Sequence, residues 1–345
     1  MVLRILPAIL LMTLVVACSS ATTSQPTTAP KAAAQPTAVT KAAEQPKSPA
    51  GGQTYVFGGG PTGGVFAIIG AGFASLLEKA VPGVRTTAQA TSGSTENVRL
   101  MGKGDIQFAP LSADVAYYGS RGEREFERDG KKYENMRHIL RGYASPLIFM
   151  APKDSGIKSV ADFKGKKLGV LTGVTAESWF PLIYPLYGLS KGDFQQVILG
   201  SGEIASAMKD KNVDAIVYWG GLPTSSITDL AMARDLVYFS VDKEKLTKLL
   251  GEHSYWSDFT IPKGAYRGIE EPFPTIGAPI FFGAAASVPD DIVYALIKAL
   301  DENKANLKQI HPLAAEYVVE TGLLNRTVPL HPGAEKYYKE KGLLK

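Results

Sequence analysis

From Thr54 onward, short apolar runs alternate with glycine- and hydroxyl-rich turns that lead into helix-periodic segments, and this repeat constrains the fold more than any other feature. Residues 54–57 read as a strand. Ile69, Phe73, Leu76, Leu77 and Ala80 then fall on one helical face, and residues 84–90 read as the next strand. Residues 106–110, 147–151, 168–171, 197–199 and 215–219 are further short apolar runs of the kind that form parallel strands buried on both faces. Near the end, Val293, Leu296, Ile297 and Leu300 make a helical stripe, and residues 317–321 are expected to be helical. Alternation of this kind predicts an α/β fold with largely parallel sheets, in which ligands bind in the turns at the carboxyl ends of strands.

The segment before this repeat has a different character. Residues 5–17 form an apolar stretch behind Arg4, too short to span a bilayer, and residues 1–17 read as a secretory signal peptide. Val15-Val16-Ala17-Cys18 resembles a bacterial lipobox, in which Cys18 is acylated and anchors the protein to the membrane; the alternative is an ordinary signal peptide with an incidental cysteine. Residues 18–52, rich in Pro, Ala, Thr, Ser and Gln, bury too little surface to offset their ordering entropy and are expected to form a disordered tether reaching about 30 Å. The body from residue 53 exceeds the size at which one core usually keeps growing. Two lobes are expected: residues 53–146, then 147–255, with 256–345 returning to the first lobe and ending in helices. The net charge of +4 is spread along the chain and gives no footprint for nucleic acid, and a single cysteine excludes a disulfide scaffold.

The turns carry the candidate chemistry. Gly58-Gly59-Gly60-Pro61-Thr62-Gly63-Gly64 satisfies a GxGxxG spelling, but so many glycines satisfy many spellings. The more general reading is a backbone that approaches an anion at the following helix N-terminus; a flexible turn without a ligand is the alternative. Thr91 to Asn97 places Ser94, Thr95 and Asn97 around Gly93, offering more donors than one helix end needs. Ser112-Ala113-Asp114 forms a third such turn, where Asp114 also complements a helix dipole. In the second lobe Thr172, Gly173 and Thr175 follow one strand, and Tyr218 and Trp219 end another, as ligand walls or as packing residues. The four histidines have no metal-ligand spacing, and no nucleophile elbow or phosphate loop is spelled out. No cofactor, metal or catalytic residue is expected.

Read together, Thr62-Gly63-Gly64, Ser92 to Asn97 and Ser112-Ala113-Asp114, with Asp154 to Lys166, Val213 to Ile216 and His331 to Tyr338, occur in the order of a known family. The chain resembles the TAXI-type solute-binding proteins of TRAP transporters. The resemblance implies a type II periplasmic-binding-protein fold, whose two lobes close on a small organic anion, amino-acid-like or a carboxylate, and deliver it to the membrane subunits of a sodium-coupled permease. It implies no chemistry on the ligand. A receptor for a membrane histidine kinase, or an extracytoplasmic enzyme on the same fold, are the competing readings. Val65, Phe66 and Ala67 stand where the family usually has a hydroxyl and two tyrosines, and Thr172-Gly173-Val174-Thr175 where it has Gly-Ser-Gly-Thr. These departures predict a less polar pocket suited to a monocarboxylate with an apolar body.

Overall fold

Phe57 and Phe108 face each other in neighbouring parallel strands with rings stacked at 4.6 Å, at the centre of one half of the sheet. The computed structural model describes residues 52–60 and 64–345. The signal peptide, Cys18, nearly all of the tether, and Thr62 and Gly63 of the first turn lie outside the described residues.

The elements begin with β1 (Thr54–Gly58), α1 (Val65–Ala80), β2 (Arg85–Gln89), α2 (Ser94–Lys103), β3 (Phe108–Ser112) and α3 (Ala113–Arg121). After a 3-10 helix at Arg124–Asp129 come β4 (Met136–Pro152), β5 (Lys167–Leu171), a π-helix at Thr175–Trp179 that runs into α4 (Phe180–Ile183), and β6 (Gln195–Leu199). Next are α5 (Ser201–Lys209), β7 (Ala215–Trp219), α6 (Ser225–Ala233), β8 (Leu236–Phe239), α7 (Lys243–Glu252) and β9 (Ser257–Ile261). β10 (Phe273–Ala285), α8 (Asp290–Glu302) and α9 (Pro332–Glu340) complete the chain.

The strand order is β2-β1-β3-β10-β4-β7-β5-β6, with β8 added to β4 and β9 to β10. β1 pairs in parallel with β2 and β3, and β5 with β6 and β7; every pair made by β4 or β10 is antiparallel. The 17-residue β4 changes partners along its length, facing β10 over residues 136–146 and β7 and β8 over residues 147–152. It joins two βα-type halves, each with its helices packed on the sheet.

Local sequence explains most of this. α1 buries Ile69, Phe73 and Leu77, while Ala80 at its last position is exposed. The stripe Val293, Leu296, Ile297 and Leu300 is fully buried on α8. Three expectations need correction. Residues 147–151 are not a short parallel strand but the second part of antiparallel β4; a run buried on both faces looks the same in either pairing. β3 starts at Phe108 and runs on through Ser112, so the turn begins later than the sequence suggested. Residues 317–321 do not form a longer helix: Val319–Thr321 is a single 3-10 turn, and Gly322 lets the chain lie where a Cβ would sit 2.0 Å from the Tyr338 hydroxyl oxygen. β10 escaped notice because Pro274, Gly277, Pro279 and Gly283 interrupt its apolar run. Register shifts between Pro279 and Phe281 and between Phe282 and Gly283 accommodate two of them.

Candidate functional site

A cavity of about 670 Å³ opens where strand ends of both halves meet the N-termini of the helices that follow. Gly64 and Val65, Phe66 and Ile68 of α1 line it, with Ser92 to Glu96 and Arg99 around the start of α2. Across from these are Leu171, Thr172, Gly173, Val174 and Glu177 after β5, Ser201 of α5, and Tyr218 to Gly221 with Pro223 to Ser225 between β7 and α6. Tyr143 and Ser145 of β4 and His311 complete the lining.

The first turn is shaped by close approach. A Cβ on Gly59 would lie 2.9 Å from Ala67 Cα, so glycine allows α1 to start against the end of β1. Gly64 is the N-cap of α1, no side chain caps the helix, and its first turn holds no acid, leaving backbone N–H groups of that turn for a ligand. α2 and α6 also begin without a side-chain cap. Gly93, with φ +116°, makes the turn into α2 in a conformation that favours glycine. In that turn Ser92 N–H donates to Glu96 Oε2 at 2.6 Å, and this bond holds the Glu96 carboxyl below the usual range.

Of the residues singled out from sequence, Gly64, Ser94, Thr95, Thr172, Gly173, Tyr218 and Trp219 line the cavity. Asn97, Ser112, Asp114 and Thr175 do not; all four are fully buried beside it. Asn97 Nδ2 donates to Gly59 O at 2.7 Å and Pro110 O at 3.3 Å, while Thr91 Oγ1 donates to Asn97 Oδ1 at 2.9 Å. One amide therefore ties the first turn to the second and to β3. Ser112 N–H donates to Ser94 Oγ at 2.9 Å, and Ser112 Oγ donates to Asp114, which also accepts from Trp179 Nε1. Burial raises the Asp114 carboxyl against these bonds, which lower it. Thr175 opens the π-helix, its hydroxyl without a partner. Hydroxyl and amide residues at such turns thus divide into those that face the cavity and those that brace it, a division set by helix phase and invisible in the spelling.

Aromatic residues and a cation form the rest of the wall. Trp219 Nε1 donates to Ser145 O at 2.8 Å, and the Trp219 ring lies 5.2 Å from that of Trp179. Tyr218 and Ser201 hydroxyls are 2.9 Å apart, and Ser201 meets Ser226 at the same distance, which links the starts of α5 and α6. Arg99 escaped the sequence reading because a lone arginine on a helix carries no signature. Its Nε donates to Asp129 at 2.8 Å and its Nη2 to Glu125 O at 2.7 Å, and Asp129 raises its pKa further. Leu313 N–H donates to His311 Nδ1 at 3.1 Å, and burial lowers the His311 pKa, which favours the neutral ring. Among the described residues no group of three or more His, Cys, Asp or Glu is arranged to hold a metal ion. The site can grip an anion through backbone N–H groups and Arg99, and can enclose an apolar body.

This strand order and the cleft between the sheet halves define the α/β fold of the type II periplasmic binding proteins. The chain belongs to the NMT1-like family, which it matches over residues 57–342. A protein of Brucella abortus (strain 2308), whose name describes it as a binding protein, is 29% identical over 131 residues, 37% of this chain and 39% of that one. The chain thus spans about two-fifths of the length of the curated relatives it matches. A solved structure from Bordetella bronchiseptica RB50 is similar at a TM-score of 0.52 and 12% identity, covering 84% of this chain and 98% of that one. The periplasmic binding protein BugD is similar at 0.51 and 12%, covering 84% and 94%. Likeness at this identity speaks to the fold alone.

Proposed function

We propose that this chain is an extracytoplasmic solute receptor that captures a small organic anion and delivers it to a membrane transporter. The observation that carries the reading is the convergence of the uncapped N-termini of α1, α2 and α6 on one cavity, with Arg99 on its wall. Such N-termini favour negative charge through their free N–H groups and helix dipoles. The binding-protein name of the Brucella relative and the periplasmic setting of BugD agree with it.

In its finer form the ligand is a monocarboxylate with an apolar body, such as a branched or aromatic 2-oxo acid or amino acid. Val65, Phe66, Ile68, Leu171, Val174 and Trp219 supply the apolar wall it would meet. The lobes are residues 53–146 with 256–345, and residues 147–255, closing over the cavity about the long strands. The partner is a TRAP-type permease, as the family resemblance implies, and Cys18 carries the lipid that anchors the receptor. No helix among the described residues is long and apolar enough to cross a membrane.

A thermal-shift panel of carboxylates tests the ligand class. A true ligand at 100 times its dissociation constant stabilises by about 2.7 kcal/mol, a shift of a few degrees. Apolar monocarboxylates are expected to stabilise; stabilisation by glutamate or a C4-dicarboxylate alone would refute the retuned pocket, and none by any anion would refute the anion site. Cys18→Ala is expected to release the protein from host membranes, and unchanged attachment and processing would refute the anchor.

A further inference from the structure

Beside the cavity, the two sheet halves touch through two acids, the buried Asp114 and the half-buried Glu125. The 3-10 helix Arg124–Asp129 follows α3 and belongs with β3, whereas the π-helix Thr175–Trp179 follows β5 in the other half. Ser178 Oγ donates to Glu125 Oε2, and Trp179 Nε1 donates to Asp114, so both bonds cross between the halves. The contact is joined to the cavity on both sides. Arg99 lines the cavity and donates to Glu125 O at 2.7 Å, and Glu177, next to Ser178, lines it as well. Glu125 Oε1 is buried without a hydrogen-bond partner.

We infer that Glu125 and the π-helix Thr175–Trp179 form a proton-dependent latch across the cleft, closed while Glu125 is protonated and released when it ionises. This regulation rests on reading the cavity as a ligand cleft between lobes. A neutral carboxyl tolerates a buried, unpartnered oxygen far better than a carboxylate does. Among the charged and titratable groups around Glu125, Asp114 from α3 and Glu177 from the π-helix oppose its ionisation, the Ser178 bond favours it less strongly than burial opposes it, and Tyr118 from α3 has its own phenol raised by Glu125. Arg99 from α2 bonds its main chain and spends its Nε on Asp129; Arg124 adjoins it in the chain, packs over the Tyr118 ring and acts on His253, which bonds Tyr255.

Burial is the largest influence on the Glu125 carboxyl and pushes it from 4.5 up to about 7. An acid whose value is raised in the latched state favours that state at low pH, and the preference fades as pH rises from the ordinary carboxylate value through about 7. The latch equilibrium should therefore weaken by roughly two orders of magnitude across this window.

All three tryptophans of the chain report on the contact, since the Trp179 ring lies 5.2 Å from Trp219 and 5.0 Å from Trp256. Acrylamide quenching of their fluorescence and small-angle scattering, on the ligand-free chain between pH 5 and 8.5, test the proposal. Quenching and radius of gyration are expected to rise together as pH climbs from 5 toward 7 and to level off above it, and Glu125→Gln is expected to stay compact and flat. A flat wild-type profile, or the same transition in Glu125→Gln, overturns the latch. Should that variant not fold, carbon-13 NMR of the labelled wild-type glutamates decides: a Glu125 midpoint in the ordinary carboxylate range overturns it. Because no ligand is added, these outcomes leave the anion-receptor reading standing, whereas an empty carboxylate panel removes that reading without touching the latch.

Discussion

Asn97 concentrates in one side chain the bracing that the site depends on. Its amide joins Gly59 O, Pro110 O and Thr91 Oγ1 at full burial, so truncation removes three hydrogen bonds and leaves Thr91 Oγ1 to donate to Gly59 O alone, at 2.8 Å. Asn97→Ala is expected to cost about 1–3 kcal/mol and lower the melting temperature by several degrees. A calorimetric loss below about 0.5 kcal/mol would show that the turns hold their shape without it. In the sequence, Asn97, Ser112, Asp114 and Thr175 are indistinguishable from cavity residues. Their residue types and turn positions match those of Ser94 and Thr172, and only the direction in which each side chain points separates a ligand contact from a brace.

Among the elements, α1 offers the sharpest test, because its first turn carries neither an acid nor a capping side chain. Val65→Asp places a carboxylate where the proposed anion would sit. The helix dipole should repay the ligand-free protein with about 0.3–1 kcal/mol, while affinity for any stabilising carboxylate falls at least tenfold. Isothermal titration showing unchanged affinity would move the anion away from α1. Strand β4 gives a second test at its other end. His138 N–H donates to Pro329 O at 2.8 Å, its ring Nε2 meets Gly322 O at 2.7 Å, and burial drives its pKa from 6.5 down to about 4. A base lowered in the folded state binds its proton more readily when unfolded. Stability is therefore full above pH 6.5 and declines as pH falls toward 4, by up to about 3 kcal/mol. Urea unfolding of His138→Gln should lose that part of the acid sensitivity, and an unchanged pH profile would assign it to other groups.

For the whole molecule, the proposed closure over the cavity would turn on β4, which pairs with β10 in one half and with β7 and β8 in the other. Scattering at a saturating concentration of a stabilising carboxylate is expected to show a smaller radius of gyration at pH 8.5, where the latch is released, with a simultaneous change in tryptophan emission. A ligand that binds without either change would argue for a rigid pocket. The apolar patterns that revealed α1 and α8 and strands β1, β5, β6 and β7 are local, because each element alone must present one face or both to a core. The order of those strands is not local, and neither is the antiparallel insertion of β10 between β3 and β4.

By itself, the sequence determined the α/β class, the positions of the turns that open the cavity and the glycines that let the backbone come close, since periodicity and φ preferences act within a few residues. Only the tertiary structure decided that Arg99, Tyr143 and Ser145 join those turns, and that Asp114 and Glu125 meet Trp179 and Ser178. These are contacts between segments 53 and 65 residues apart for the acid bonds alone. Chain neighbours cannot encode which distant side chain will be turned toward them: that depends on strand order and helix phase, which burial of the whole core selects at once.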